Sequence, residues 1–204
     1  MDRRYERNHG RLAGLHALCI VLTALLVVGK GSAQTANSPV TIGGQFTLTA
    51  ADGAVVTEQT YRGKWLLVFF GFTSCPDTCP TALLDIAAAL EKLGPAADKV
   101  QPLFITVDPQ RDTPVVIGDY TRSFDPRIIG LTGTPEQIAA VAREYGAYYA
   151  PRKIGPGPED YVMDHSSYLY LMDPEGKFVR GFDADTPGDR LAEVVRDAIV
   201  KARD

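Results

Sequence analysis

The chain has 204 residues, 45% of them hydrophobic and 23% charged, with a formal net charge of −4. That balance is ordinary for a globular domain with a substantial core, and it excludes collagen-like and intrinsically disordered chains. Residues 1–33 hold five basic side chains (Arg3, Arg4, Arg7, Arg11 and Lys30) against two acids, which leaves 16 basic and 23 acidic residues in 34–204, a net of −7; such an acidic domain repels phosphate backbones, so no nucleic-acid partner is expected.

Four arginines precede an apolar run over 12–28, broken only by small residues, His16 and Thr23. The 17 residues of this run are long for a signal-peptide core and short for a membrane span, and Gly31-Ser32-Ala33 fits a small-residue cleavage site. Residues 1–33 therefore read as a signal or membrane anchor, with the anchor preferred. The arginines orient it N-inside, with residues from about 34 onward translocated; the periplasmic face of a bacterial inner membrane is the preferred location, with bacterium or organelle left open by the sequence. Cleavage would instead leave it soluble in the periplasm. Cys19, in mid-run, reads as an apolar filler.

Residues 34–44 read as a linker, and 45–204 as the folded domain. Residues 46–49 and 55–61 flank Ala51-Asp52-Gly53, a hairpin signal. The unbroken apolar run at 65–70 predicts a strand buried on both faces. A helix is expected over 80–93, with Leu83, Leu84, Ile86, Leu90 and Leu93 inward, then an apolar strand over 101–107. Thr113-Pro114, Thr134-Pro135 and Thr186-Pro187 each place a hydroxyl at an N-cap and a proline in the first helical turn; Thr134 with Gln137 completes a capping box. Strands are expected at 128–131, 168–172 and 177–182, the last two joined by the turn Asp173-Pro174-Glu175-Gly176, and a final helix over 188–201. The alternation predicts an α/β domain.

Two cysteines, Cys75 and Cys79, remain outside the leader, between the first core strand and the first long helix. Sulfurs four residues apart at a helix mouth can share a metal ion or close a disulfide, and the helix N-terminus favours thiolate. A purely structural disulfide would close so small a loop that it removes little chain entropy. His165 precedes the strand at 168–172, and the remaining histidines, His9 and His16, lie in the leader. On its own such a histidine reads as an ordinary surface or core residue. Two thiolates and one imidazole fall short of a four-ligand structural zinc site but suit three-coordinate Cu(I), or Cu(II) with an added weak ligand. Met163 would point to the same side as His165 in an extended segment, although packing is its favoured role.

Four blocks carry a family resemblance: residues 71–81 (Gly71-Phe72-Thr73-Ser74-Cys75-Pro76-Asp77-Thr78-Cys79-Pro80-Thr81), 107–114 (Val107-Asp108-Pro109-Gln110-Arg111-Asp112-Thr113-Pro114), 124–134, and Asp164-His165-Ser166 followed by 170–176. In order and spacing they strongly resemble the Sco/SenC family over most of residues 40–200. The resemblance implies a thioredoxin-like fold, in which a central mixed sheet is flanked by helices, here with an N-terminal hairpin extension. It also implies an N-terminal membrane anchor and copper, Cu(I) or Cu(II), bound by Cys75, Cys79 and His165. The implied role is assembly of the binuclear copper centre of cytochrome c oxidase, by copper delivery, by reduction of that site's cysteines, or by both. Its partners would then be the oxidase copper-site subunit and an exported thiol reductant.

Asp108, at the end of the second core strand, is a candidate for outer support of the site or for partner recognition, and equally for capping the region of the Thr113 helix. Asp77 and Asp164 are further candidates. Two other functions compete with copper transfer. A thiol–disulfide oxidoreductase would use Cys75 and Cys79 as a redox-active pair without His165. A thiol peroxidase or redox sensor would need one activated cysteine beside a threonine such as Thr73, and would leave the pair and His165 unexplained. Copper transfer is not turnover, so an enzyme label does not follow.

Overall fold

The computed structural model describes residues 41–202. The signal or anchor at 1–33, with Cys19, His9 and His16, and most of the 34–44 linker lie outside the described residues. At its end, the Gly43 N–H donates to the Glu144 carbonyl at 2.7 Å and Ile42 packs on the core.

The hairpin joins β1 (Thr47–Ala50) to β2 (Val55–Thr57), and residues Glu58–Tyr61 turn into a short 3-10 helix rather than prolonging the strand. The apolar run forms β3 (Trp65–Gly71), every residue of it buried. Next come α1 (Thr78–Leu93), β4 (Val100–Thr106), α2 (Pro114–Arg122), β5 (Ile129–Thr132) and α3 (Pro135–Tyr145). A two-stranded ribbon, β6 (Tyr149–Lys153) and β7 (Tyr161–His165), precedes β8 (Tyr168–Met172), β9 (Phe178–Asp183) and α4 (Gly188–Lys201).

The main sheet has the order β2-β1-β5-β4-β3-β8-β9. Its centre, β3-β4-β5, is parallel, whereas β8 and β9 on one side and β1 and β2 on the other run antiparallel. This is the thioredoxin-like α/β arrangement, a central mixed sheet flanked by helices. Its parallel centre explains the all-apolar β3, because a strand covered on both faces cannot alternate.

Three local readings need correction. Leu84 is 60% exposed; the buried stripe of α1 is instead Cys79, Ala82, Leu83, Ile86, Ala89, Leu90 and Leu93. Thr113 and Thr134 cap α2 and α3 as expected, with the full capping box at Thr134 and Gln137. Thr186 caps nothing: α4 starts after Pro187, and the Gly188 N–H donates to Asp85 Oδ1 of α1 at 3.0 Å. Helices α1 and α4 lie so close there that a Cβ on Gly188 would sit 2.6 Å from the Asp85 carbonyl oxygen, so a neighbouring helix supplies the acceptor. Third, the β6–β7 ribbon carries no strand signal, since the prolines and glycines from Pro151 to Pro158 disguise it as loop.

Candidate metal centre

The parallel strands β3 and β4 end side by side, with Gly71 opposite Thr106, so the segments that follow both leave at one edge of the sheet. After β3 the chain turns through Phe72 to Cys75, whose N–H donates to the Phe72 carbonyl at 3.2 Å. Helix α1 then places Cys79 in its first turn, fully buried, while Cys75 is half-buried. The Cys79 N–H points at Cys75 Sγ, 3.4 Å away, so a helix-terminal amide faces the sulfur as the spacing suggested. Gly71 makes room for this: a Cβ there would lie 2.8 Å from Cys79 Sγ and 2.6 Å from the Phe104 ring.

His165 arrives from the other direction. Strand β8 runs antiparallel to β3, pairing Leu169 with Phe69, so the segment just before β8 returns to the edge where β3 ends. His165 closes β7 there, paired with Tyr149, and its ring meets the edges of Phe69 and Phe72 at centroid distances of 6.2 and 5.8 Å. Its Nδ1 lies 2.9 Å from the Ser166 carbonyl oxygen. A carbonyl only accepts, so Nδ1 donates to it, and Nε2 is left facing Cys79 Sγ at 3.5 Å. The donor atoms of Cys75, Cys79 and His165 all lie within 4.8 Å of one another. Metal–sulfur and metal–nitrogen bonds of about 2.0–2.3 Å hold donors of one ion roughly 3.5–4.5 Å apart, so the set needs little movement to close on an ion.

The two thiols are unequal. The hydrogen bond donated by Cys79 holds the Cys75 sulfur as thiolate; His165 and the N–H groups of Asp77 and Cys79 assist against burial, and its pKa falls from 9.0 to about 4. Cys79 is driven the opposite way, first by donating that bond, then by burial and by the charge of Cys75. The pair therefore holds one negative charge and one proton.

The other candidates are placed elsewhere. Asp108 accepts from Arg111 Nε at 2.5 Å and from the Tyr161 hydroxyl at 2.8 Å, and Arg111 lies over the Tyr161 ring, 4.0 Å from its centroid. These bonds reach the β6–β7 ribbon, not the thiols, and the cap of α2 is Thr113. Asp164 pairs with Arg152 across the ribbon. Asp77 precedes α1 without a side-chain cap bond, its carbonyl accepting from Thr81. Met163 is buried on the same ribbon as His165. The Thr73 hydroxyl donates to Asp112 at 2.6 Å. Asp112 carries no signal of its own in the sequence beyond its place in the 107–114 block, directly before the Thr113 cap.

Fold and site together define a thioredoxin-like protein with a Cys-x3-Cys pair and a histidine gathered at the carboxyl edge of the central strands. The SCO1/SenC family model matches residues 34–200, and the chain belongs to that family. It is similar to "Protein SCO1 homolog 1, mitochondrial" of Arabidopsis thaliana, 45% identical over 155 residues, covering 76% of this chain and 46% of that protein. It is 41% identical over 156 residues to "Protein sco1" of Schizosaccharomyces pombe, covering 76% of this chain and 59% of that one. The chain thus spans about half the length of these relatives. Among solved structures it is similar to Arabidopsis thaliana ScoI with copper bound, with a TM-score of 0.73 and 43% identity over 78% of this chain and 99% of that one. Among the described residues, no helix is long and apolar enough to cross a membrane.

Proposed function

We propose that this protein is a copper carrier that assists assembly of the binuclear copper centre of cytochrome c oxidase, holding its cargo through Cys75, Cys79 and His165. The observation that carries the reading is the convergence of two sulfurs and one imidazole nitrogen within 4.8 Å. Among the described residues no fourth Cys, His, Asp or Glu joins that cluster, which favours three-coordinate Cu(I) over structural zinc. One exposed side, at half-buried Cys75, leaves room for a receiving ligand to displace a donor. The solved relative with copper bound supports the cargo, and family membership supports the oxidase copper-site subunit as recipient. Residues 1–33 would hold the domain at the periplasmic face of the membrane.

A second reading is favoured by the low pKa of Cys75. Its thiolate can attack a partner disulfide, expelling one partner thiolate and forming a mixed disulfide. Cys79, giving up its proton, then attacks Cys75 Sγ and releases the second partner thiolate. The oxidised pair would need an exported thiol reductant before another cycle or copper loading. The peroxidase reading is weaker, because the Thr73 hydroxyl is committed to Asp112 and Arg111 to Asp108.

His165 separates the two readings. Exchange needs only the cysteines, whereas carriage needs the third donor. His165→Ala is expected to retain disulfide exchange with a small thiol and to fail in restoring oxidase assembly at limiting copper. Normal assembly by that variant would overturn copper carriage in favour of exchange.

A further inference from the structure

The block at 107–114 contains a buried acid that the site does not use directly. Asp112 is fully buried, and among the described residues no cation is paired with it, its neighbour Arg111 being bound to Asp108. Its Oδ2 accepts from the Thr73 N–H at 3.0 Å and from the Thr106 hydroxyl at 2.6 Å, while Oδ1 accepts from the Thr73 hydroxyl at 2.6 Å. Burying a carboxylate without a counter-ion is costly, and these three donors are what offset that cost. Two of them come from Thr73, which directly follows buried Phe72 and precedes Cys75 by two residues.

The consequences run along the chain. The turn that carries Cys75 has few ties of its own: its amide bonds back to Phe72, and beyond it lie Pro76 and the helix. Asp112 grips that turn at both the backbone and the side chain of Thr73. The loop holding Asp112 is itself fixed, through its N–H to the Asp108 carbonyl at 3.0 Å and through Val107 N–H to the Gly71 carbonyl at 2.8 Å. Cys79 is placed by α1 and His165 by β7, so Cys75 is the one donor of the three whose position depends on an irregular turn.

We propose that Asp112, acting through Thr73, is a positioning residue that fixes the Phe72–Cys75 turn and so aims Cys75 Sγ at Cys79 and His165. The inference rests on the reading of these three residues as one site, but its effect on the dithiol exists without copper. Three variants test it in the reduced soluble domain of the protein and in the full chain: Asp112→Ala, Thr73→Val, which removes the hydroxyl at nearly constant shape, and Thr73→Ser, which keeps it. Two measurements are made on each, the Cu(I) affinity by competition with a chromophoric chelator and the dithiol/disulfide equilibrium of metal-free protein against glutathione. Asp112→Ala is expected to weaken Cu(I) by about 10–100-fold, the usual scale for loss of a residue that orients a ligand, and to shift the metal-free equilibrium. Thr73→Val should move both in the same direction by less, and Thr73→Ser should restore both. Should Asp112→Ala fail to fold, the Thr73 pair decides. Wild-type values of both quantities in Thr73→Val, with only the melting temperature lowered, would overturn the proposal. Failure of the wild-type protein to bind Cu(I) would sink the copper reading, while the metal-free equilibrium would still judge the positioning role.

Discussion

His165 Nε2 stands 3.5 Å from Cys79 Sγ although 86 residues separate them in the chain. The imidazole is fixed by the Ser166 carbonyl behind it and by two phenylalanine rings, so Nε2 faces the sulfurs. Behind the same sulfurs the Cys75–Cys79 pair shares a single proton. The site is thus arranged to accept a cation with little reorganisation, and its charge state can be checked directly.

Cys75 should react as a thiolate well into the acid range. With its pKa lowered from 9.0 to about 4, alkylation by iodoacetamide is expected to select Cys75 over buried Cys79. The rate should stay nearly flat from about pH 8 to about pH 5 and fall only toward about pH 4. A rate still climbing steeply through neutral pH would show an ordinary thiol. For stability the sign is that of a depressed acid: the Cys75 contribution is complete above the ordinary thiol pKa and is lost as pH falls toward about 4. Cys79, shifted upward, contributes in the opposite sense, losing its part as pH rises beyond the ordinary thiol range.

Copper loading should displace only the proton that the pair retains. At neutral pH Cu(I) binding is expected to release about one proton from the dithiol, not two. Calorimetry in buffers of different ionisation enthalpy measures this count. Release close to two would mean that both cysteines enter as thiols and that their hydrogen bond does not form.

Gly71→Ala should damage the fold and the site together. The new methyl would meet Cys79 Sγ and the Phe104 ring at distances that buried atoms do not tolerate. Overpacking of this kind costs about 1–3 kcal/mol. In a domain of this size, each kcal/mol lowers the melting temperature by roughly 2–4 °C. Thermal unfolding of the reduced metal-free protein reads the first effect and Cu(I) competition the second. An unchanged melting temperature would show that Cys79 and Phe104 move aside freely.

Tyr161→Phe should loosen the ribbon that carries His165. The hydroxyl donates to Asp108 at 2.8 Å, and its loss leaves a buried carboxylate with Arg111 alone. A hydrogen bond to a charged group contributes about 1.5–3 kcal/mol. Amide exchange should speed up in Tyr149–Lys153 and Tyr161–His165 but not in β3 or β4, and Cu(I) should dissociate faster. Uniform acceleration across the sheet would show instead that the bond supports the whole domain.

Much of this protein is written locally. The run at 65–70 announces a doubly covered strand because every residue is apolar, and Thr113 and Thr134 cap their helices because a hydroxyl, a proline and the next amides are all neighbours in the chain. The cysteine spacing likewise places the pair at the mouth of α1, although Cys75 itself lies in the turn before Thr78 and is not part of the helix. What depends on distant segments was not legible. Leu84 fits the helical stripe but lies on the solvent side of α1, and Thr186 yields the start of α4 to Asp85 from α1. The ribbon was hidden because its pairing, not its composition, makes it a strand pair. Asp108 and Asp112 look alike in sequence, four residues apart before a helix. Only the tertiary structure shows that Asp112 reaches the cysteine turn and Asp108 the histidine ribbon, because the parallel pairing of β3 with β4 brings the turn after one strand beside the loop after the other.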